Sequence, residues 1–144
     1  MIIIGSDHAG FSLKESIKKH LEAIPMKVAD VGCFDTNSVH YPEVADLLVK
    51  RILSGEYHRG IMICGTGIGM SITANRHKGI RATLCHDYLT AKMSREHNNS
   101  NLLVMGGRII GIETALNVVD VWLSTEFQGG RHQQRLDLIE KFSS

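Results

Sequence analysis

The chain has 144 residues, the length of one domain able to bury its own core. Its 43% hydrophobic and 22% charged residues exclude a disordered, collagen-like or coiled-coil chain. Sixteen Lys and Arg against fifteen Asp and Glu leave a net charge of +1 with no basic stripe, so neither nucleic acid nor a membrane surface is expected as a partner. Apolar runs reach only four residues, as in Leu102 to Met105, where a membrane span needs about 20. The start, Met-Ile-Ile-Ile-Gly, lacks the basic and long apolar regions of a signal peptide. Three widely spaced cysteines, Cys33, Cys64 and Cys85, argue for reduced thiols and a cytoplasmic location rather than a disulfide framework.

Along the chain, short apolar runs alternate with helical periodicity, with no repeat or linker, so residues 1–144 are expected to form a single domain. Strands are predicted near 1–4, 27–31, 60–64, 80–85 and 101–105, and helices near 10–24, 42–54, 69–78, 88–98, 111–124 and 131–142. Ile112, Ala115, Leu116, Val119 and Leu123 mark the buried stripe of the fifth helix. Pro42 suits a first helical turn and Gly111 a helix boundary. Such alternation predicts an α/β fold with a mostly parallel sheet covered on both faces. Ligands of such sheets bind at the carboxyl ends of the strands.

The first strand runs into Gly5-Ser6-Asp7-His8-Ala9-Gly10. There an acid and an imidazole stand ready to hold hydroxyls and an anion, or Asp7 simply caps the next helix. The third strand ends in Cys64-Gly65-Thr66-Gly67-Ile68-Gly69-Met70-Ser71. Alternate glycines let backbone N–H groups converge on an anion at a helix N-terminus, where a thiolate is also favoured. A Walker A loop lacks its Lys here, and Met70 stands where a dinucleotide fingerprint needs Gly and a cysteine phosphatase needs Arg. An oxyanion or small phosphate therefore fits better than a nucleotide. Ser94-Arg95-Glu96-His97-Asn98 pairs a His with an amide, suited to proton transfer on sugar oxygens or merely to compensating a helix dipole. In Gly129-Gly130-Arg131-His132-Gln133-Gln134-Arg135, the two arginines lie four apart on one helical face, either gripping phosphate or simply solvated.

These four motifs, in this order and covering nearly the whole chain, resemble those of ribose-5-phosphate isomerase B. That family includes the allose-6-phosphate and galactose-6-phosphate isomerases. The resemblance implies a three-layer α/β/α sandwich on a five-stranded parallel sheet of order 2-1-3-5-4, and metal-free aldose–ketose isomerisation through an enediol, with no cofactor. It implies Cys64 as the base between C1 and C2, Thr66 assisting proton traffic, and His97 opening the furanose ring with Asp7 as counterpart. The amides of Gly65, Gly67, Ile68, Gly69 and Ser71 would hold the enediolate, and Asn98 would contact the sugar. His8, Arg131 and Arg135, with Arg108 as an addition, would bind phosphate, and Tyr41 would wall the pocket. It also implies a homodimer, or a tetramer of dimers, with sites shared between subunits. His40 stands where the family commonly has Asp, which leaves sugar preference open. Relatives without the cysteine use a glutamate further on, but no carboxylate lies between Gly65 and Asn75 here. A six-carbon sugar phosphate is the alternative substrate, and a catalytically silent sugar-phosphate sensor the alternative class. Cys33 and Cys85 are expected to be core or surface residues.

Overall fold

In β1 (Ile2–Ser6), β3 (Arg59–Cys64) and β5 (Leu102–Gly106), successive apolar side chains point to opposite faces, so both faces of the sheet must be covered. A computed structural model, which describes residues 1–143, meets that requirement with two separate cores. On one face Ile2, Ile4, Ile61, Ile63, Leu103 and Met105 pack under α1 (Phe11–Glu22) and α5 (Ile112–Ser124). On the other, Ile3, Met62, Cys64, Leu102 and Val104 pack under α2 (Tyr41–Leu53) and α3 (Ile68–Asn75). Each fully buried aliphatic chain contributes about 1.5–3 kcal/mol, so these alternating rows dominate the stability of the fold. Trp122 is fully buried in the first core and donates its indole N–H to Ser100 Oγ at 3.1 Å.

The five strands, with β2 at Val28–Asp30 and β4 at Ala82–Leu84, are all parallel in the order 2-1-3-5-4. The expected three-layer architecture is thus observed. The order reverses between β1 and β3, which opens a crevice beyond the ends of those two strands. Two further helices, α4 (Tyr88–Glu96) and α6 (Arg131–Lys141), complete the chain.

Several boundaries differ from expectation for local reasons. β4 is shorter than residues 80–85, because side chains take over at its start. Asn101 Oδ1 accepts from the Arg81 N–H at 2.8 Å, and Asn75 bonds both backbone groups of Ala82 at 2.9 Å. α3 stops at Asn75 instead of 78, in turns that lead to Gly79 at φ 91°. α4 ends at Glu96, before Asn99 enters the left-handed region at φ 45°. A short 3-10 helix over His8–Gly10 precedes α1, and Asp7 Oδ1 caps it by accepting from the Gly10 N–H at 3.1 Å. No helix among the described residues is long and apolar enough to cross a membrane.

Candidate active site

The crevice between β1 and β3 is a cleft of about 420 Å³ whose walls include Asp7, Tyr41, Cys64, Thr66 and Arg108. Gly65, Ile68 and Gly69 complete its loop side. Asp7 and Cys64, at the ends of adjacent strands, are buried at 6% and 4% exposure, so both side chains are withdrawn from bulk water. Asp7 caps the 3-10 helix, as the capping reading of its motif expected, and also lines the cleft.

The Cys64 sulfur accepts the Gly67 N–H at 3.1 Å. That contact puts the positive end of a peptide dipole on the sulfur at the head of α3. Thr66 Oγ1 accepts from Ile68 N–H at 3.2 Å, and the Ser71 N–H is taken by the Gly67 carbonyl at 3.0 Å. The expected anion cradle is therefore narrower than the motif suggested. With Gly67, Ile68 and Ser71 partnered internally, the amides of Gly65, Thr66, Gly69 and Met70 are the donors left to the loop. Gly67 and the Ser71 side chain lie outside the cleft walls, and Ser71 Oγ is enclosed without a hydrogen-bond partner.

Tyr41, the first residue of α2, closes the cleft over α3. A methyl group at Gly69 would sit 2.5 Å from the tyrosine ring, so only glycine permits this approach. Arg108 reaches the other side, its N–H donating to the Gly65 carbonyl at 3.0 Å. Ile72, one helical turn beyond Ile68, also lines the wall and is 55% exposed. The spacing of these two isoleucines was the available signal for it. His8 stands beside the cleft, and its Nδ1 accepts the Val39 N–H at 3.2 Å, leaving Nε2 to carry the proton of the neutral ring. His40 caps α2 without a side-chain hydrogen bond, so it does not replace the capping role open to an Asp there.

A clamp supports this half of the site. The fully buried Lys14 bonds both oxygens of Asp30 at 2.9 and 2.6 Å and also the Cys33 carbonyl. Lys18 adds a bond to Asp30 at 2.8 Å. Burial pushes the Asp30 carboxyl up, but the hydrogen bonds from Lys14, Lys18 and the Gly32 N–H outweigh it and hold the group below its ordinary range. The loop so fixed bonds Ser6 through its Gly32 carbonyl at 2.6 Å and its Cys33 N–H at 2.7 Å, immediately before Asp7.

The remaining candidates form a second cluster. His97, at the C-terminus of α4, stacks on His132 with ring centroids 4.3 Å apart. Arg131 and Arg135 sit exposed in the first turns of α6, and exposed Asn98 follows His97. None of His97, Asn98, Arg131 or Arg135 lies on the walls of the Cys64 cleft. Burial holds the His132 imidazole below the usual histidine range, helped by His97 and then by the two arginines. His132 belongs to the fourth motif, but nothing in its spacing showed that it would support His97. Buried Arg95, two residues before His97, donates to the Thr125 carbonyl at 3.2 Å, Asn99 Oδ1 at 3.0 Å and the Ser100 carbonyl at 2.5 Å. Burial, with Arg59 and Arg81 nearby, pushes its guanidinium down to about 10. Among the described residues no group of His, Cys, Asp and Glu is placed to hold a metal ion.

Comparison with known proteins agrees with this geometry. Residues 2–139 match the ribose/galactose isomerase family. Ribose-5-phosphate isomerase B of Escherichia coli is 44% identical, over 96% of this chain and 93% of its own. The structure of a ribose 5-phosphate isomerase from Thermotoga maritima superposes with a TM-score of 0.95 at 50% identity, covering 97% of each chain. Ribose-5-phosphate isomerase B from Mycoplasma genitalium, solved with bound ribulose 5-phosphate, gives 0.93 at 36% identity, over 98% of this chain and 94% of that one. With a fold, a cleft and a full-length likeness that coincide, the chain belongs to the ribose/galactose isomerase family.

Proposed function

We propose that the protein interconverts ribose 5-phosphate and ribulose 5-phosphate as a reaction of the pentose phosphate pathway. The observation that carries this reading is the Cys64 thiol, buried at the head of an amide-lined loop and already accepting one N–H. Proton transfer between the adjacent carbons of an aldose needs a base over C1 and C2 and donors for the oxygen that becomes negative. Cys64 as thiolate takes the C2 proton of the open-chain aldose, the electron pair forms the C1–C2 double bond, and the carbonyl oxygen becomes an enediolate held by the free loop amides. Thr66 passes a proton between the two oxygens, and the Cys64 thiol returns its proton to C1 to give the ketose. His97 opens the ring, opposite Asp7, while Arg108, Arg131 and Arg135 neutralise the phosphate and His8 donates to it from Nε2.

The separation of the two clusters within one chain supports a homodimer, or a tetramer of such dimers, as the active species, in which a second copy brings its His97 cluster to the Cys64 cleft. Amides and arginines suffice for the charge, so no metal is required and turnover should survive exhaustive EDTA treatment. The deciding experiment assays ribose 5-phosphate, allose 6-phosphate and galactose 6-phosphate side by side. The highest kcat/KM is expected for ribose 5-phosphate; turnover of a hexose phosphate alone would move the protein to the six-carbon branch. Tight sugar-phosphate binding without turnover would make it a sensor.

A further inference from the structure

β4 ends early, and β5 runs on past it. The Cys85 N–H still reaches the Val104 carbonyl at 3.1 Å, but the chain then turns into the cap of α4 at Asp87, so the ladder has no backbone acceptor for the next N–H of β5. The side chain of half-buried His86 supplies one. Its Nε2 accepts the Gly106 N–H at 2.9 Å. Gly106 is not a remote strand end. A methyl group there would lie 2.6 Å from the Thr66 backbone, the next amide, Gly107, donates to the Cys64 carbonyl at 2.7 Å, and Arg108 donates to the Gly65 carbonyl at 3.0 Å. Three successive residues of the turn therefore brace three successive residues of the amide loop, and His86 holds the first of them.

We infer that His86 is a positioning residue for the isomerisation, its neutral imidazole fixing, through Gly106, the loop that carries Cys64, Gly65 and Thr66. This rests on the function proposed above. A nitrogen that accepts a hydrogen bond cannot also carry a proton, so protonation of the ring releases Gly106. Burial holds the His86 imidazole below its ordinary value of 6.5, against a smaller upward pull from Asp87. Cys85 and Asp87 flank His86 in the chain; β4, β5 and α3 carry no ionisable side chain, α4 carries Tyr88, Lys92, Arg95 and Glu96, the turn after β5 carries Arg108, and the loop after β3 begins at Cys64. The brace is therefore intact at neutral pH and lost on acidification.

The test compares native enzyme with His86→Gln and His86→Leu. The Gln amide oxygen replaces the Nε2 acceptor but does not titrate, whereas Leu fills the space without an acceptor. His86→Leu should lose about ten- to a hundredfold in kcat/KM for ribose 5-phosphate, the scale of a small misplacement of reacting groups, and His86→Gln should recover most of it. On the acid side, below about 6.5, the native profile should be steeper by one proton than that of His86→Gln. In parallel, the Gly106 amide resonance should move with the His86 titration in native protein and stay still in His86→Gln. An acid limb identical in native and His86→Gln enzyme, or a Gly106 resonance indifferent to that titration, overturns the inference; should His86→Leu fail to fold, the Gln comparison still decides it. If the native chain turns over no sugar phosphate, the proposed function falls, and the resonance alone decides whether the brace exists.

Discussion

The two halves of the candidate site are built on different principles. The Cys64 half is made of backbone at the ends of central strands, where Lys14 and Asp30 hold the loop before Asp7 from behind and Tyr41 and the Gly106–Arg108 turn pack directly against the glycine-rich loop. The His97 half consists of side chains at helix ends, with Arg131 and Arg135 extended into solvent and only His97 held against a neighbouring ring. Charge that develops during a reaction is stabilised best by dipoles that need not reorganise, and the rigid half offers those. A phosphate, which is charged before and after the reaction, needs cations rather than a rigid cradle. The exposed half offers these, at the cost of ordering two long side chains on binding. On the proposed roles, the proton transfer between C1 and C2 belongs to the first half, and ring opening and the exposed arginine grip belong to the second.

The largest effect that would break this division is expected at Cys64. Cys64→Ser keeps the shape but loses a readily ionised group, so turnover should fall by at least about a hundredfold while substrate still binds. Retention of more than about a tenth of the activity would move the base elsewhere, with His97 the next residue to replace. Iodoacetamide should inactivate native enzyme, and bound sugar phosphate should protect it.

Arg131→Ala and Arg135→Ala address the other half. Charge-assisted hydrogen bonds are worth about 1.5–3 kcal/mol, so each should raise KM roughly ten- to a hundredfold. Stability should change by less than about 0.5 kcal/mol, because both side chains are exposed. Unchanged KM and kcat in both variants would remove them from the phosphate site.

Mixing inactive subunits sharpens the comparison further. If each site joins the Cys64 half of one chain to the His97 half of another, a dimer of Cys64→Ser and His97→Ala chains retains one native site. Equal mixing and reassembly should then restore roughly a quarter of native activity, since half the dimers are mixed and each has one working site of two. No recovery, with mixed dimers demonstrated by mass, would mean that both halves of a site come from one chain.

The smallest effect concerns the clamp behind Asp7. The Asp30 carboxyl is held below its ordinary value of 3.8, so the folded state takes up its proton less readily than the unfolded chain. The stabilisation is complete above about 3.8 and is lost as pH falls through the lower folded value. Melting temperatures of native protein and Asp30→Asn should differ at neutral pH and converge in strong acid. A difference that does not change with pH would show that the ion pair contributes nothing through its charge.

Much of this was legible in the chain because its signals are local. Alternating apolar runs and helical stripes located all five strands and six helices; the errors lay at element ends, where the side chains of Asn75 and Asn101 replaced ladder partners of β4 or where turns at Gly79 and Asn99 followed a helix. Cys64, Thr66 and their glycines were legible because a loop that points amides at an anion must spell itself out within a few residues. The sheet order entered through the likeness of four motifs to a family, since periodicity cannot say which strand lies beside which. His86 and His132 gave no such notice, for each meets a residue far from it in sequence.

What the sequence determined by itself, then, is which groups stand together within one turn or one loop: the thiol beside its amides, two arginines one helical turn apart, the acid next to an imidazole. Tertiary structure alone decided which amides remain free, that Asp7 both caps a helix and faces the cleft, and that His97 and Cys64 stand in separate clusters of one protomer. The physical reason is that a hydrogen bond or a packing contact between distant segments depends on where the sheet places strand ends, and a short pattern of residue types carries no record of that distance.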